Sequence, residues 1–306
     1  MMIQKFVNKL IENLPDEYTK TSKPIKYDIV LGGGAFNGSC LIGALYFLKE
    51  MEKRNYIKIE RISGCSIGSI VGLLYLTDNL DLMTSLYNYI TKKFKKNHNL
   101  AIIKEIKDIL KDHIPDNICD IVNNKLYICY NNIKLKKKEI KSKYKNTDHL
   151  FDVIIRSSFV PYLIDENIVY NGKYMDGVNP YIFEKRDYEI IFFDLYTMDK
   201  IIYFINIKNE KTNFHRVLTG LLEMHTFFIK GNSTPMCSYV NKWTLTERAF
   251  YYLKTFLERI LICIVASIVT FQKLFHKKLT ESSILYKLFV QYNKEYIVHF
   301  LDKYCF

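Results

Sequence analysis

The chain has 306 residues, of which 49% are hydrophobic, so it can bury one large core or one core with a helical extension. Its net charge of +12 favours a polyanionic partner, either a nucleic acid or an anionic membrane face. Its seven cysteines are scattered and lack C-x-x-C spacing, which argues against a cysteine metal site and indicates free thiols in a reducing compartment.

Residues 1–15 have the pattern of an amphipathic helix, with one apolar face formed by Ile3, Phe6, Val7, Leu10, Ile11 and Leu14. Polar residues interrupt the pattern every few positions, so it lacks the apolar segment of a signal peptide. The helix either packs over the edge of the sheet or lies in a membrane interface, and we favour packing. Residues 1–26 are therefore expected to be this helix and a lead-in to the first strand.

A glycine-rich turn at residues 32–38 follows the first predicted strand, residues 27–31, and precedes a helical pattern. Such a turn offers several backbone N–H groups and a helix N-terminus to an anion. No Gly-Lys-Ser/Thr follows, as a phosphate loop requires, and no acidic residue is placed to bind a ribose. We interpret the turn as an oxyanion hole formed by N–H groups near Gly33, Gly34 and Ala35.

The pentapeptide Gly-Cys-Ser-Ile-Gly begins at Gly64 and ends at Gly68, between a predicted strand at 57–62 and a predicted helix at 67–77. This context holds a serine exposed in a strained elbow, with glycines where a Cβ would clash. The helix that follows directs its positive end at an oxyanion formed beside Ser66. The pattern therefore predicts that Ser66 is a nucleophile.

Residues 81–112 are predicted to be helical and basic. Three apolar runs beyond them are predicted strands, at 126–130, 188–193 and 201–205. Continuous apolar runs are typical of strands buried on both faces of a largely parallel sheet. With helices between the strands, the expected class is α/β in three layers.

Seven lysines lie between Lys134 and Lys145, interleaved with Leu135, Ile140 and Tyr144. A solvated hairpin is the simpler interpretation of this segment. The functional one is contact with anionic lipid, because each lysine near such a surface contributes about 1 kcal/mol. Nucleic acid is not an expected partner, since the sequence has neither a recognised binding fold nor an aromatic platform.

Asp176 follows a predicted hairpin, in which residues 168–170 and 173–175 are β-like and Asn-Gly joins them. Asn-Gly between β-like segments is a strong signal for a tight hairpin, which would hold Asp176 in a fixed place. Asp-Gly also forms ordinary turns, and in isolation that is the simpler interpretation.

From Phe214 to the end the pattern is helical, and His225 lies among apolar residues, as a core histidine does. The run at 260–271 has twelve mostly apolar residues, fewer than the roughly 20 that span a bilayer. A buried helix is favoured over an interfacial membrane helix, and a membrane span is the least favoured.

The glycine-rich turn, the pentapeptide and Asp176-Gly177 together resemble the motifs of the patatin-like phospholipase family, in the same order and at compatible spacing. The small-residue and proline segment at 156–161 is similar to one that the family has ahead of its aspartate. The resemblance covers residues 27–208 and implies a three-layer patatin-like fold with a mostly parallel central sheet. Residues 209–306 are expected to form a C-terminal helical region on the same domain.

The resemblance also implies an activity, that of a serine lipid acyl hydrolase in which Ser66 and Asp176 act as a dyad. It implies no metal and no cofactor. The expected substrate is a phospholipid or another acyl-ester lipid, and the expected partner is a membrane surface, most simply an anionic one. The oligomeric state stays open.

Three positions depart from the family pattern. The third glycine of the turn is Ala35, and the basic residue before its last glycine is Asn37. A backbone N–H survives at Ala35, although a positive φ there would cost about 1 kcal/mol relative to glycine. The second glycine of the family's Asp-Gly-Gly is Val178, which is expected to matter little to the carboxylate of Asp176.

Two other functions stay open. One is a Ser-Asp-His triad on an α/β-hydrolase fold, because Ser66, Asp176 and either His215 or His225 fall in that chain order. Neither histidine has a loop context, and the glycine-rich turn precedes the elbow by one βα unit, which disfavours this alternative. The other is a lipid-binding or membrane-scaffolding protein whose site has lapsed, as Ala35 and the helical tail suggest.

Overall fold

The computed structural model describes residues 2–165, 167–184, 188–195, 204–208 and 210–278, together with residues 295, 298, 299 and 303. Most of the predicted strand at 201–205 lies outside the described residues, and its last two residues belong to a turn. The helical pattern predicted beyond residue 278 also lies outside them, apart from the isolated positions.

In the described residues, seven strands form one mixed sheet: β1 Ile25–Leu31, β2 Ile57–Gly64, β3 Leu126–Asn132, β4 Lys137–Lys141, β5 Tyr174–Asp176, β6 Glu189–Phe193 and β7 Cys237–Tyr239. The strand order is β4-β3-β2-β1-β6-β7, and β5 also pairs with β3. β1 runs parallel to β2 and β6, and β2 runs parallel to β3. The four central strands β3, β2, β1 and β6 are thus parallel, and β4, β5 and β7 pair with them antiparallel. The predicted α/β class with a mostly parallel central sheet is confirmed.

The α-helices of the described residues are α1 Met2–Ile11, α2 Asp16–Thr19, α3 Gly38–Lys53, α4 Ile67–Leu76, α5 Leu82–Asn97, α6 Ile106–Leu110, α7 Ile118–Val122, α8 Thr147–Ser157, α9 Phe214–Lys230 and α10 Leu245–Lys278. Short 3₁₀ turns join several of them. The helix predicted over 81–112 is thus divided, with α5 followed by 3₁₀ turns and by α6.

Alternation along the central strands divides the core into two layers. Ile29 and Leu31 of β1 face a large cluster shared with α1, α3, α4, α8 and α9, whereas Val30 faces a smaller cluster on the opposite side. Part of that opposite side is covered by α10, whose Tyr251 packs edge-on against Phe192 of β6 with ring centroids 6.3 Å apart. The sheet therefore lies between two helical layers.

The hairpin predicted ahead of Asp176 is reduced to a tight turn with a single bridge between Tyr170 and Tyr174. Asn171 and Gly172 both have positive φ, 49° and 68°, as the central residues of a type I′ turn do, while the bridge leaves three residues between its partners. The second strand is β5, and it pairs with β3 instead of extending the hairpin.

Candidate active site

A strained elbow between β2 and α4 carries Ser66, whose φ of 52° and ψ of −131° lie outside the regions that serine ordinarily adopts. The two flanking glycines are required by close approach of the backbone. A Cβ at Gly64 would lie 2.6 Å from the carbonyl oxygen of Gly68, and a Cβ at Gly68 would lie 2.6 Å from that of Leu31. The elbow predicted from the pentapeptide is therefore present.

Ser157, the last residue of α8, fixes the elbow from the side. The N–H of Ser66 donates to both the carbonyl oxygen and the Oγ of Ser157, each at 3.0 Å. Ser157 Oγ donates in turn to the carbonyl oxygen of Cys129 in β3, at 2.7 Å. The backbone of Ser66 is thus held by hydrogen bonds, and the small-residue segment at 156–161 supplies the residue that holds it.

Strand pairing brings Asp176 close to the elbow. β2 pairs with β3 as far as Gly64 and Ile128, and β5 pairs with β3 where Asp176 faces Tyr130. At Tyr130 the other edge of β3 is paired with β4. β5 therefore pairs with the same edge of β3 as β2, beyond the point where β2 ends. Ser66 and Asp176 consequently line one cavity.

The carboxylate of Asp176 is buried. Its Oδ1 accepts a hydrogen bond from the N–H of Val178 at 2.7 Å, and its Oδ2 has no partner at normal hydrogen-bond geometry among the described residues. Burial raises the pKa of Asp176 to about 6, although the nearby Ser66 hydroxyl and the hydrogen bond from the Val178 N–H lower it. A carboxylate with a pKa near neutrality is a better proton acceptor than an ordinary aspartate.

Val178 stands where the family pattern has its second glycine, and the small effect expected of this change on the carboxylate of Asp176 stays a prediction. The N–H of Val178 holds Oδ1 of Asp176, and it does so with a φ of 53°, which a β-branched residue rarely adopts. The missing second glycine is therefore replaced at the cost of backbone strain.

The glycine-rich turn presents free backbone donors. Among the described residues, the N–H groups of Gly33, Gly34 and Ala35 have no hydrogen-bond partner. Gly34 and Ala35 line the same cavity as Ser66 and Asp176, whereas Gly33 is not part of its wall. Ala35 has a φ of 42°, so the positive φ considered from the sequence is present.

Ala35→Gly is expected to raise the free energy of unfolding by about 1 kcal/mol, because glycine adopts a positive φ without the steric cost that alanine bears. Urea denaturation would measure the change. The control is Gly34→Ala, which should destabilise, since its Cβ would lie 2.5 Å from Cδ1 of Leu195. No gain for Ala35→Gly would mean that Ala35 is not strained.

Arg216 of α9 supports the turn and was not predicted. Its buried guanidinium donates through Nη1 to Oδ1 of Asn37 and through Nη2 to the carbonyl oxygen of Asn206, the latter at 2.8 Å. Nε and Nη2 also donate to Glu210. A basic group thus lies beside Asn37, at the position where the family pattern has a basic residue, but it comes from 179 residues further along the chain.

A buried ion pair lies behind the Asp176 loop. Lys138 Nζ is 2.8 Å from Oε2 of Glu258 in α10 and also donates to the carbonyl oxygen of Asn179 at 2.5 Å. Asn131 donates to Oε1 of Glu258 at 2.9 Å and to the carbonyl oxygen of Asp176 at 2.8 Å. Lys138 is therefore not one of the solvated or lipid-facing lysines that the sequence suggested.

The cavity has a volume of about 460 Å³ and mostly apolar walls. Ser66, Asp176 and the turn residues Gly34 and Ala35 line part of it. The other walls come from α4, α5, the segment after α8 and α10, and include Ile70, Met83, Ile90, Ile103, Val160, Leu163 and Leu261. An apolar cavity with a few convergent polar groups suits a ligand with a long hydrocarbon part.

Neither His215 nor His225 lines this cavity. His215 is exposed, with Nε2 3.5 Å from Oε1 of Glu210. His225 packs edge-on against Phe47, with ring centroids 6.0 Å apart, and burial lowers its pKa. The structure thus places both histidines apart from Ser66 and Asp176.

Cys65, beside Ser66, is buried, and its Sγ donates to the carbonyl oxygen of Val178 at 3.4 Å. Burial raises the pKa of its thiol, which disfavours a thiolate. In the part of the chain that the structure describes, no three His, Cys, Asp or Glu side chains are grouped so that they could hold a metal ion.

A family model described as patatin-like phospholipase matches residues 29–180 of the chain. The matched segment begins in β1 and ends just after Asn179. It contains the glycine-rich turn, the elbow with Ser66, and Asp176.

Proposed function

The chain carries a patatin-like phospholipase domain at residues 29–180, and from this premise we propose that it is a serine lipid acyl hydrolase acting through Ser66 and Asp176. The domain supports lipid acyl hydrolysis as the class of activity. One observation carries the finer proposal: Ser66, the buried carboxylate of Asp176, and Gly34 and Ala35, whose N–H groups have no partner among the described residues, line one apolar cavity.

In the proposed reaction, Ser66 Oγ attacks the ester carbonyl carbon while Asp176 accepts the hydroxyl proton. The N–H groups of Gly34 and Ala35, with that of Gly33 adjacent, hold the tetrahedral oxyanion, and a single donor typically contributes about 3 to 4 kcal/mol. Asp176 then gives the proton to the leaving alcohol. Water attacks the acyl-enzyme by the same route and releases the fatty acid, without a metal or a cofactor.

The cavity supports an acyl-ester lipid as the substrate. Its apolar walls suit a hydrocarbon chain, and the Ser66 hydroxyl and the Asp176 carboxylate in its lining suit an ester. A phospholipid fits this description, and the net charge of +12 favours substrate presented on an anionic membrane surface.

The rate is expected to depend on the ionisation of Asp176. Because the carboxylate must be deprotonated to accept a proton, kcat/KM on a soluble short-chain ester should fall as pH decreases through about 6. Measurement of kcat/KM at a series of pH values, in buffers of constant ionic strength, would test this dependence. A profile that stays flat down to the ordinary aspartate range would contradict the proposed base.

Labelling with a fluorophosphonate tests the nucleophile directly, since the reagent reacts with an activated serine. The wild-type protein should be labelled at Ser66, as mapped by peptide mass spectrometry, and Ser66→Ala should not be labelled. Ser158→Ala is the matched control, because Ser158 also lines the cavity and should leave labelling intact.

Labelling separates the proposal from only one of the two alternatives, because a triad enzyme would also be labelled at Ser66. An unlabelled wild-type protein would favour the lipid-binding protein with a lapsed site. The triad is disfavoured because neither of its candidate histidines reaches the cavity.

A further inference from the structure

The outer face of α10 is apolar although it is exposed. Five large side chains on it have exposed fractions between 41 and 58%, and they are defined here as the α10 apolar face: Phe256, Leu257, Ile260, Ile264 and Ile268. Most other exposed positions in this part of the helix are also apolar or small. A surface helix normally carries charged or polar residues on its outer face.

The helix is anchored by its opposite face. Glu258 joins the buried ion pair, and Ile262, Val265 and Ala266 pack against Ile133 and the β5 residue Met175, among others. The α10 apolar face therefore lies on a helix that is fixed to the catalytic domain. Contiguous exposed apolar surface of this kind marks a site of contact with a protein or a membrane.

We propose that the α10 apolar face docks the protein on the surface of a lipid bilayer that contains anionic lipid. The proposal rests on the proposed function and names the surface through which the enzyme would reach its substrate. Leu261 supports it, because this side chain lines the active-site cavity and is also 42% exposed. The apolar face thus continues into the cavity, so docking would open the cavity to the bilayer.

Charge beside the helix specifies the bilayer as the occupant. The β3–β4 turn places Lys134, Lys136 and Lys137 in solvent around Leu135, which is 57% exposed. Ile133, at the base of this turn, packs against α10. An apolar surface with adjacent lysines matches the acyl boundary and the anionic headgroups of an interface, respectively.

The docking is superficial. No helix in the described part of the chain is long and apolar enough to cross a membrane. The buried side of α10 contacts the protein core, so only its outer face is available to lipid. Binding should accordingly depend on both apolar contact and ionic strength.

The test uses full-length Ser66→Ala protein and vesicles of ether-linked phosphatidylcholine and phosphatidylserine, so that binding is measured without hydrolysis. A variant with Phe256→Gln, Leu257→Gln and Ile264→Gln should bind the vesicles at least about tenfold more weakly in flotation. The matched control carries Phe6→Gln, Leu222→Gln and Ile229→Gln, three exposed apolar residues on α1 and α9, and should bind normally.

A second arm separates charge from apolar contact. Lys134→Gln, Lys136→Gln and Lys137→Gln together should weaken binding to vesicles with phosphatidylserine more than to vesicles without it. The charge-matched control changes the exposed lysines Lys5, Lys9 and Lys53 to glutamine and should have a smaller effect.

Two results would overturn the proposal. One is unchanged vesicle binding by the α10 variant. The other is a wild-type dimer, seen by light scattering without lipid, that the α10 variant dissociates, since the face would then serve a second copy of the chain. The same substitutions made in protein that keeps Ser66 test the proposed function separately. None of the changed residues lines the cavity, so hydrolysis of a soluble ester should be unaffected.

Discussion

Ser66→Ala and Asp176→Asn are each expected to lower kcat/KM on a soluble ester by at least about a thousandfold. In the proposed reaction Ser66 supplies the attacking oxygen and Asp176 accepts its proton, so loss of either residue would remove the same step. The double variant should therefore be no slower than the slower single variant. Steady-state kinetics of the four proteins, each confirmed as folded by circular dichroism, would measure the cycle.

The stability of Asp176→Asn provides an internal control for this experiment. The pKa of Asp176 is about 6 in the fold, above its unfolded value of about 3.9, so the ionised carboxylate opposes folding at neutral pH. This penalty is present above pH 6 and disappears as pH falls toward 4. Asp176→Asn should thus be inactive yet more stable at pH 7, by on the order of 1 to 3 kcal/mol.

Additive losses in the double variant would mean that the two residues act in separate steps. A destabilised Asp176→Asn protein would mean that the carboxylate is not buried as an ion. Either result would remove the argument for Asp176 as the base.

Local motifs made much of the candidate site predictable. The turn at residues 32–38 and the elbow at Ser66 are short segments in which glycine spacing and the flanking strand and helix dictate the geometry. Their order along the chain, with Asp176-Gly177 third, was sufficient for the family resemblance and the α/β class. The catalytic roles of these residues stay predictions.

Long-range contacts were not predictable in the same way. Arg216 contacts Asn37 across 179 residues, and Glu258 contacts Lys138 across 120, and no periodicity links such positions. The lysine run at 134–145 had the pattern of a solvated segment because the sequence does not reveal which lysine faces a buried carboxylate. The positive φ of Val178 was not predictable either, because the sequence does not give the backbone angle that a turn imposes on one residue.

The burial of the C-terminal apolar run at 260–271 was also only partly predictable from the sequence. Its composition favoured a buried helix, but only one face of α10 is buried. Composition reports how apolar a helix is, whereas burial depends on which neighbours the fold supplies on each side. The exposed apolar face of the helix is the feature from which we infer a docking surface.

Lys138→Met is expected to lower the free energy of unfolding by about 3 kcal/mol, because it leaves the Glu258 carboxylate buried without its counter-charge. The side chain of Glu258 is 2% exposed, whereas that of Lys138 is 24% exposed, which places the loss at the low end for buried pairs. Urea denaturation would measure it. Adding Glu258→Gln should restore part of the loss, since the unpaired charge is then removed.

Lys254→Met is the matched control. It breaks a lysine–carboxylate pair made by the same helix, in which Lys254 Nζ lies 2.6 Å from Oδ2 of the partly exposed Asp194. Because water can solvate that carboxylate, the loss should be below about 1 kcal/mol. Equal losses of unfolding free energy for the two lysine variants would show that the Lys138–Glu258 pair stabilises the fold no more than an exposed pair does.

The same pair should tune the pH dependence of the reaction. Burial dominates the raised pKa of Asp176, but Glu258 raises it further and Lys138 lowers it. Lys138→Met should therefore shift the acid limb of the kcat/KM profile to higher pH, and Glu258→Gln should shift it to lower pH. A purely structural ion pair would change stability and leave the acid limb in place. Opposite shifts from its two members would show that α10 acts on the Asp176 carboxylate through charge.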